Sequence, residues 1–222
     1  MGNRLQILIA DDHVIFADGL RLLLEKHYNV VGTVTDGRAL ITAALSLKPD
    51  VIVVDIGMPL LNGLDAAERV RKQLPKVKLV FLTMQDNPNL AAAALELGLA
   101  AFVLKHSAGS ELLTAIDHVM HGKCYVTPKL RSEDWFVQKT RARQYSRHLT
   151  PRQREIVQMC AEGRPMKEIA GHLNLSEKTI EFHKHHIMET FNLHSNADLV
   201  LLALKEGLIS LGPNPLRDKQ SS

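Results

Sequence analysis

The hydrophobic positions of this chain follow two regimes. Up to residue 121, short apolar runs alternate with stretches whose apolar residues recur every three or four positions. The runs Leu5–Ala10, Val30–Val34, Val51–Val54, Lys78–Leu82 and Ala101–Leu104 have strand length and are rich in Val, Ile and Leu. Between them, Val14–Lys26 (Ile15, Gly19, Leu22 and Leu23 at helical spacing), Ala39–Leu47, Leu64–Leu74, Asn89–Leu97 and Ser110–His121 read as helices, the last two stopped by Gly98 and Gly122. Five apolar strands alternating with five helices predict an α/β domain, a doubly wound five-stranded parallel sheet covered on both faces.

From residue 149 onward the pattern is purely helical. Thr150-Pro151 is an N-cap followed by Pro at the first helical position, opening a helix to Ala161 that Gly163 stops. Met166–Leu173 is a short helix, Ser176 caps a longer one over Glu177–Phe191, and Asn196–Glu206 ends at Gly207. This predicts a small all-α domain of four helices. The implied divisions are a domain over 1–122, a linker over 123–148 with a short helix around Glu133–Arg143, the helical domain over 149–211, and a disordered tail over 212–222.

Composition changes this picture little. With 45% hydrophobic and 23% charged residues, the chain is an ordinary globular one. Cys124 and Cys160 lie far apart without a CxxC pattern, which argues against a disulfide scaffold and fits a reducing cytoplasm. The N-terminus meets Asp11 and Asp12 too early for a signal peptide, and Gln6 stands where a myristoylation motif needs Ser or Thr. The apolar stretch Leu90–Leu104 is too short for a membrane span, so a soluble protein is expected.

Charge is more informative. Residues 1–121 carry 11 Lys+Arg against 13 Asp+Glu, while residues 122–222 carry 16 against 11. An acidic half joined to a basic half points to a polyanionic partner for the second. Yet residues 149–207 hold 7 basic against 8 acidic, and the excess sits in 122–148 with 7 against 2. The stretch Lys139, Arg141, Arg143, Arg147, Arg152 and Arg154 reads either as a solvated face or as a supplementary phosphate contact.

The strand ends carry the candidate chemistry. Strand one ends in Asp11-Asp12, strand three in Asp55, strand four in Thr83 and strand five in Lys105. Parallel strands bring these ends to one edge, where ligands of open α/β sheets bind. Three carboxylates together repel one another unless a cation joins them, and Mg²⁺ suits an all-oxygen set. Thr83 can hydrogen-bond a phosphoryl oxygen and Lys105 can pair with its charge, so the set reads as a phosphoryl-transfer site with Asp55 as nucleophile.

IADDH, DIGMPLLNG (Asp55–Gly63), FLTM and AFVLK together resemble the flavodoxin-like receiver domain of bacterial two-component response regulators, over about residues 4–121. The resemblance implies that Asp55 accepts phosphate from a histidine kinase, that Asp11, Asp12 and Asp55 bind Mg²⁺, and that Thr83 and Lys105 read the phosphoryl group. It also puts the switching aromatic at Phe102. Taken alone, Thr83 signifies nothing and Phe102 reads as core.

LTPRQREIVQMCAEG followed by MKEIAGHLNLSEKTIEFHKHHI resembles the LuxR-type helix-turn-helix of the NarL/FixJ group, over about Leu149–Ile209. Ile169, Ala170 and Leu173 form an apolar face, Leu175 packs in the turn, and Ile180, Ile187 and Phe191 hold the next helix down. The resemblance implies that this helix enters the major groove of double-stranded DNA, where its dipole favours phosphate. Lys178, Thr179, Glu181, Phe182 and His185 are expected near bases, and Lys167, His183 and Lys184 nearer phosphates. Glu181 and Asn196 stand where relatives carry cations, so weak non-specific affinity is expected. In the cluster His183, His185 and His186, with His194 nearby, the helical spacing splays the rings, and no Cys or carboxylate completes a tetrahedron, which argues against a metal. Leu199, Val200, Leu202 and Ala203 fit either a homodimer face or core.

Three functions follow. The first is a phosphorylation-dependent transcription regulator, not an enzyme. The second is a constitutive DNA-binding protein whose receiver serves only protein contacts. The third is an Asp-based phosphatase, which wants a second Asp where Gly57 stands. Met84 also departs from the receiver pattern, which keeps a small residue after the threonine. Met84→Ala is expected to change the lifetime of the aspartyl phosphate; equal lifetimes for variant and wild type would show that Met84 does not crowd the site.

Overall fold

The computed structural model describes residues 4–98, 100–130 and 149–209. The chain divides into two compact units, Met1–Glu155 and Ile156–Ser222. The expected helix around Glu133–Arg143 and the expected disorder of 212–222 lie outside the described residues, as do Lys139, Arg141, Arg143 and Arg147.

The first unit is a parallel sheet with helices on both faces. Its strands are β1 (Gln6–Ala10), β2 (Asn29–Val34), β3 (Val51–Asp55), β4 (Lys78–Thr83) and β5 (Ala100–Leu104), with β6 (Tyr125–Val126) at the edge. Its helices are α1 (Val14–Leu24), α2 (Gly37–Leu47), α3 (Gly63–Gln73), α4 (Pro88–Glu96) and α5 (Ala108–Met120). The spatial order is β2-β1-β3-β4-β5-β6, every pairing parallel. The chain steps from β1 outward to β2, then returns past β1 to β3. The topological switch point therefore lies between β1 and β3, where a crevice opens beyond the strand ends.

Side-chain alternation sorts the two faces. Ile7, Ile9, Val51, Val53, Val80, Leu82, Ala101 and Val103 pack with α1 and α5 through Ala17, Leu20, Leu24, Leu112, Ile116 and Val119. Leu8, Ala10, Ile52, Val54, Leu79, Phe81, Phe102 and Leu104 pack on the other face with Leu40 and Ala44 of α2, Ala67 and Val70 of α3 and Leu90 of α4. Each such side chain removed from water contributes about 1.5–3 kcal/mol, which makes this double core the main stabilising term.

Two expectations are corrected here. The stripe assigned to α1 is displaced: Ile15 and Leu22 are 91% and 68% exposed, and Ala17, Leu20 and Leu24 are the buried residues. Helical spacing allows either face, and only packing against the sheet selects one. The sheet also has six strands, not five, because the stretch expected to begin the linker supplies β6. Tyr125–Val126 is too short to register as an apolar run, and it holds through specific bonds. Thr127 N–H donates to the Phe102 carbonyl at 2.9 Å. Thr127 Oγ1 accepts the Leu104 N–H at 3.1 Å and donates to Glu111 Oε2 at 2.7 Å. Tyr125 Oη donates to the same Oε2 at 3.0 Å.

The helical elements are α6 (Pro151–Ala161), α7 (Met166–Leu173), α8 (Glu177–Thr190) and α9 (Asn196–Lys205). Capping follows the sequence signals. Thr150 Oγ1 accepts the Gln153 N–H at 3.3 Å, with Pro151 at the first position of α6. Asn174 adopts the left-handed region (φ 52°) after α7, and Ser176 Oγ accepts the Thr179 N–H at 3.1 Å to start α8. Ser195 and Asp198 form a capping box at α9. Leu199, Leu202 and Ala203 are buried, so that face belongs to the core, and the exposed apolar side chain of α9 is Leu201.

Thr127→Val keeps the shape of the side chain and leaves the buried Leu104 N–H without its acceptor. It is expected to lower unfolding stability by about 1–3 kcal/mol, read as a lower denaturant midpoint at unchanged slope; an unchanged midpoint would show that β6 contributes nothing.

Candidate functional site

The strand ends meet as the topology requires. Asp11 and Asp12 follow β1, Asp55 ends β3, Thr83 ends β4, and Lys105 begins a 3₁₀ turn directly after β5. The adjoining register sets Asp55 opposite Leu82 and Thr83 opposite Leu104. The loop after β3 returns closely over the strand end, and a Cβ at Gly63 would lie 2.0 Å from the Asp55 carbonyl oxygen. Only glycine fits there.

Lys105 Nζ is the hub. It donates to Asp55 Oδ2 at 2.7 Å and lies 2.9 and 2.8 Å from the two carboxylate oxygens of Asp11. It also sits 4.8 Å above the Phe16 ring centroid, a cation–π position. Asp11, Asp55 and Lys105 are 0%, 4% and 6% exposed, so these charges interact in a poorly screened setting. Asp55 Oδ1 accepts the Gly57 N–H at 3.1 Å. Burial pushes the Asp55 carboxyl up from its ordinary value, against the pull of Lys105 and with repulsion from Asp11 adding to the rise. Burial draws Lys105 down, but Asp55 and Asp11 outweigh it and hold the ammonium above its ordinary value.

Asp12, partly buried, completes the carboxylate set. Asp12 Oδ1 and Asp11 Oδ2 are buried oxygens without a hydrogen-bond partner among the described residues, although the second faces the Lys105 ammonium. Lone pairs left over on hard oxygen donors, gathered within a few ångströms, fit a small divalent cation such as Mg²⁺. Thr83 is buried and its Oγ1 accepts the Gln85 N–H at 3.0 Å, which leaves its own O–H as a donor. Phe102 lies apart from the charged group, fully buried in the core beside Phe81. Met84 is 58% exposed. Reasoning from the sequence missed His13 and Phe16, which reach the cluster from the start of α1; the only signal was their place directly after Asp11-Asp12.

In the helical unit, Ile180 and Ile187 are buried beneath α8. Lys178, Glu181, Phe182 and His185 share the opposite face at i, i+3, i+4 and i+7, and all four are exposed, as is Lys167 on α7. Phe182 is 68% exposed, with His186 stacked beside it at 6.4 Å between ring centroids. Thr179, His183 and Lys184 are half-buried. Thr179 Oγ1 is 2.7 Å from Ser176 Oγ, and Lys184 Nζ donates to Asn196 Oδ1 at 2.8 Å.

A sheet edge of this kind followed by a helix-turn-helix defines a phosphoacceptor domain joined to a DNA-binding one. Residues 7–117 match the response regulator receiver domain family, and residues 147–203 match the bacterial regulatory proteins of the luxR family. The chain is 34% identical over 216 residues to the oxygen regulatory protein NreC of Staphylococcus epidermidis, covering 92% of this chain and 99% of that one. It is 31% identical over 209 residues to the transcriptional regulatory protein MctR of Rhizobium johnstonii, covering 93% and 96%. The solved structure of the Salmonella typhimurium RcsB response regulator matches with a TM-score of 0.64 at 29% identity, over 92% of this chain and 99% of that one. RcsB has also been solved bound to DNA, a structure matching with a TM-score of 0.56 at 29% identity, over 91% and 99%. The chain belongs to the two-component response regulators of the NarL/FixJ type, receiver plus LuxR-type helix-turn-helix. It is a transcription factor whose DNA binding is under phosphorylation control. Among the described residues no helix is long and apolar enough to cross a membrane.

Because burial raises the Asp55 carboxyl in the folded state, its contribution to stability is present at low pH and is lost as the pH rises through that raised value. Asp55→Asn is therefore expected to raise the midpoint of thermal unfolding in chelator at neutral pH. The excess should narrow toward acid pH, where the wild type takes up the proton. A lower midpoint for the variant at neutral pH would show that the Lys105 pairing outweighs the burial.

Proposed function

We propose that Asp55 is the phosphoacceptor. A carboxylate oxygen of Asp55 attacks the phosphorus of a phosphohistidine on a partner kinase, the P–N bond breaks, and the imidazole leaves with the electron pair. The product is a mixed anhydride on Asp55. Lys105, held 2.7 Å from Asp55, is the observation that carries this reading, since its ammonium is already placed to neutralise the arriving charge. The Thr83 hydroxyl donates to a phosphoryl oxygen. Asp11, Asp12 and Asp55 would hold Mg²⁺, which supplies charge neutralisation for the transferred group.

Phosphorylation adds nearly two negative charges at one strand end. Lys105 must then divide itself between Asp11 and the phosphoryl group, and Thr83 must turn toward it. Both strands involved run directly past Phe102, our candidate for the switching aromatic, which gives the site a route into packing. The receiver in this reading spans 1–122 with β6 added through Leu130, and the helix-turn-helix spans 149–211. On α8, Lys178, Thr179, Glu181, Phe182 and His185 read bases of double-stranded DNA. The face fits a major groove, with Glu181 accepting from cytosine N4 and Phe182 against a thymine methyl. Lys167, His183 and Lys184 approach phosphates. With so few cations on this unit, two copies on DNA bind better than one, which favours a homodimer. The DNA-bound dimers solved for RcsB support that arrangement. The two free cysteines fit the cytoplasm.

A phosphatase reading lacks its acid/base group, because the position two residues after Asp55 is Gly57, whose backbone N–H is engaged with Asp55 itself. Treatment of the full chain with a small phosphodonor and Mg²⁺ is expected to add the mass of one phosphoryl group and to tighten DNA binding. Asp55→Ala should lose both effects. A mass gain that survives in Asp55→Ala, or DNA binding indifferent to the treatment, would overturn the proposal.

A further inference from the structure

The acidic cluster contains one side chain that the proposed chemistry does not use. His13 is the N-cap of α1, with extended backbone (φ −91°, ψ 93°), yet its side chain makes no capping hydrogen bond to the first turn. An N-cap is usually Ser, Thr, Asp or Asn, whose oxygen satisfies an N–H of that turn. Here the ring points back over the carboxylates. Its Nδ1 lies 2.8 Å from Asp12 Oδ1, 3.4 Å from Asp11 Oδ1 and 3.9 Å from Asp55 Oδ2. The His13 backbone N–H donates to Asp11 Oδ1 at 2.9 Å, which fixes the root of the ring.

The closest of these contacts is not a hydrogen bond. Asp12 Oδ1 is 2.8 Å from Nδ1, yet it is buried without a hydrogen-bond partner among the described residues. Lys105 Nζ lies 3.5 Å from the same ring nitrogen. Nδ1 can accept from this ammonium in the tautomer that carries its proton on Nε2. In that tautomer the ring nitrogen and the Asp12 carboxylate oxygen each turn a lone pair toward the same space, which is how two ligands of one cation sit. Octahedral bonds of about 2.1 Å separate neighbouring donors by about 3 Å and opposite donors by about 4.2 Å. The three His13 distances lie close to that range. One donor atom from each of Asp11, Asp12, His13 and Asp55 lies within 4.8 Å of the others.

Resting on the cation site inferred above, we propose that His13 Nδ1 is a fourth protein ligand there. The donor set becomes mixed nitrogen and oxygen, and the receiver takes a first-row divalent ion such as Mn²⁺ in preference to Mg²⁺. Carboxylates alone suit Mg²⁺, whereas an imidazole nitrogen moves affinity along the first-row series. The His13 side chain is 57% exposed, so replacing it leaves the core intact.

The test uses the full chain. Mn²⁺ binding is followed by loss of the free-ion electron paramagnetic resonance signal, and Mg²⁺ affinity by competition, for wild type, His13→Asn, His13→Ala and Asp12→Asn. Both His13 variants are expected to bind Mn²⁺ about tenfold more weakly or worse, with Mg²⁺ affinity changed less than about twofold. Nitrogen modulation of bound Mn²⁺ in pulsed resonance should be present in wild type and absent from both variants. Equal Mn²⁺ affinities, or wild-type Mn²⁺ without nitrogen modulation, would overturn the role of His13. Asp12→Asn separates the two levels: if it too binds normally, or wild type binds no cation, the cation site itself is wrong and His13 falls with it.

Discussion

The receiver is organised around one ammonium group. Lys105 sits between Asp11 and Asp55, all three withdrawn from water, and none could be tolerated there alone. The contact ties together residues 50 and 94 positions from the lysine, at the ends of β3 and β1. It can form only if β1, β3 and β5 run parallel and in register, and the sheet provides that with β3 and β1 adjacent and β5 one strand beyond β4. The same pairing leaves the site sensitive to charge. Two carboxylates share one cation, so a further anion or cation must redistribute Lys105, and the strand ends that carry these groups are continuous with the core.

The edge of the sheet shows how little chain is needed to extend such a framework. β6 contributes two residues, yet Glu111 receives both Tyr125 and Thr127 hydroxyls and Thr127 takes the backbone N–H of Leu104. That N–H belongs to the residue directly before Lys105. The last turn of backbone before the charged hub is thus pinned by a segment that apolar patterning would assign to a linker. Thr127 N–H on the Phe102 carbonyl adds a second bond along the same edge of the strand. A shift of β5 toward a phosphoryl group would have to work against both bonds, which connects the chemistry of the site with the edge of the domain.

The helical unit solves a different problem. A recognition helix must bury one face firmly and leave the other polar enough for water. α8 does this with two buried isoleucines, a serine cap and the left-handed Asn174 that sets its angle to α7. Its outer face is nearly neutral, with Phe182 exposed on it. In the proposed reading such a surface gains little from non-specific phosphate attraction, which is why pairing of two copies is part of that proposal.

The sequence by itself determined the alternation of strands and helices, the strand ends that carry Asp11, Asp12, Asp55, Thr83 and Lys105, and the caps at Thr150 and Ser176. These are local facts: runs of β-branched residues, stop signals and side chains that bond their own backbone. Tertiary structure decided the rest. The face of α1 that is buried depends on the sheet beneath it, and Ile15 and Leu22 face solvent although their spacing allowed the core. β6 exists only because Glu111 and β5 receive it. His13 joins the acidic cluster because its ring turns away from the helix it begins, a choice between two rotations that no spacing of residues encodes. For α1 and β6 the deciding partner lies elsewhere in the chain, and for His13 the Asp55 carboxylate does, so these contributions arise only when folding brings the groups together.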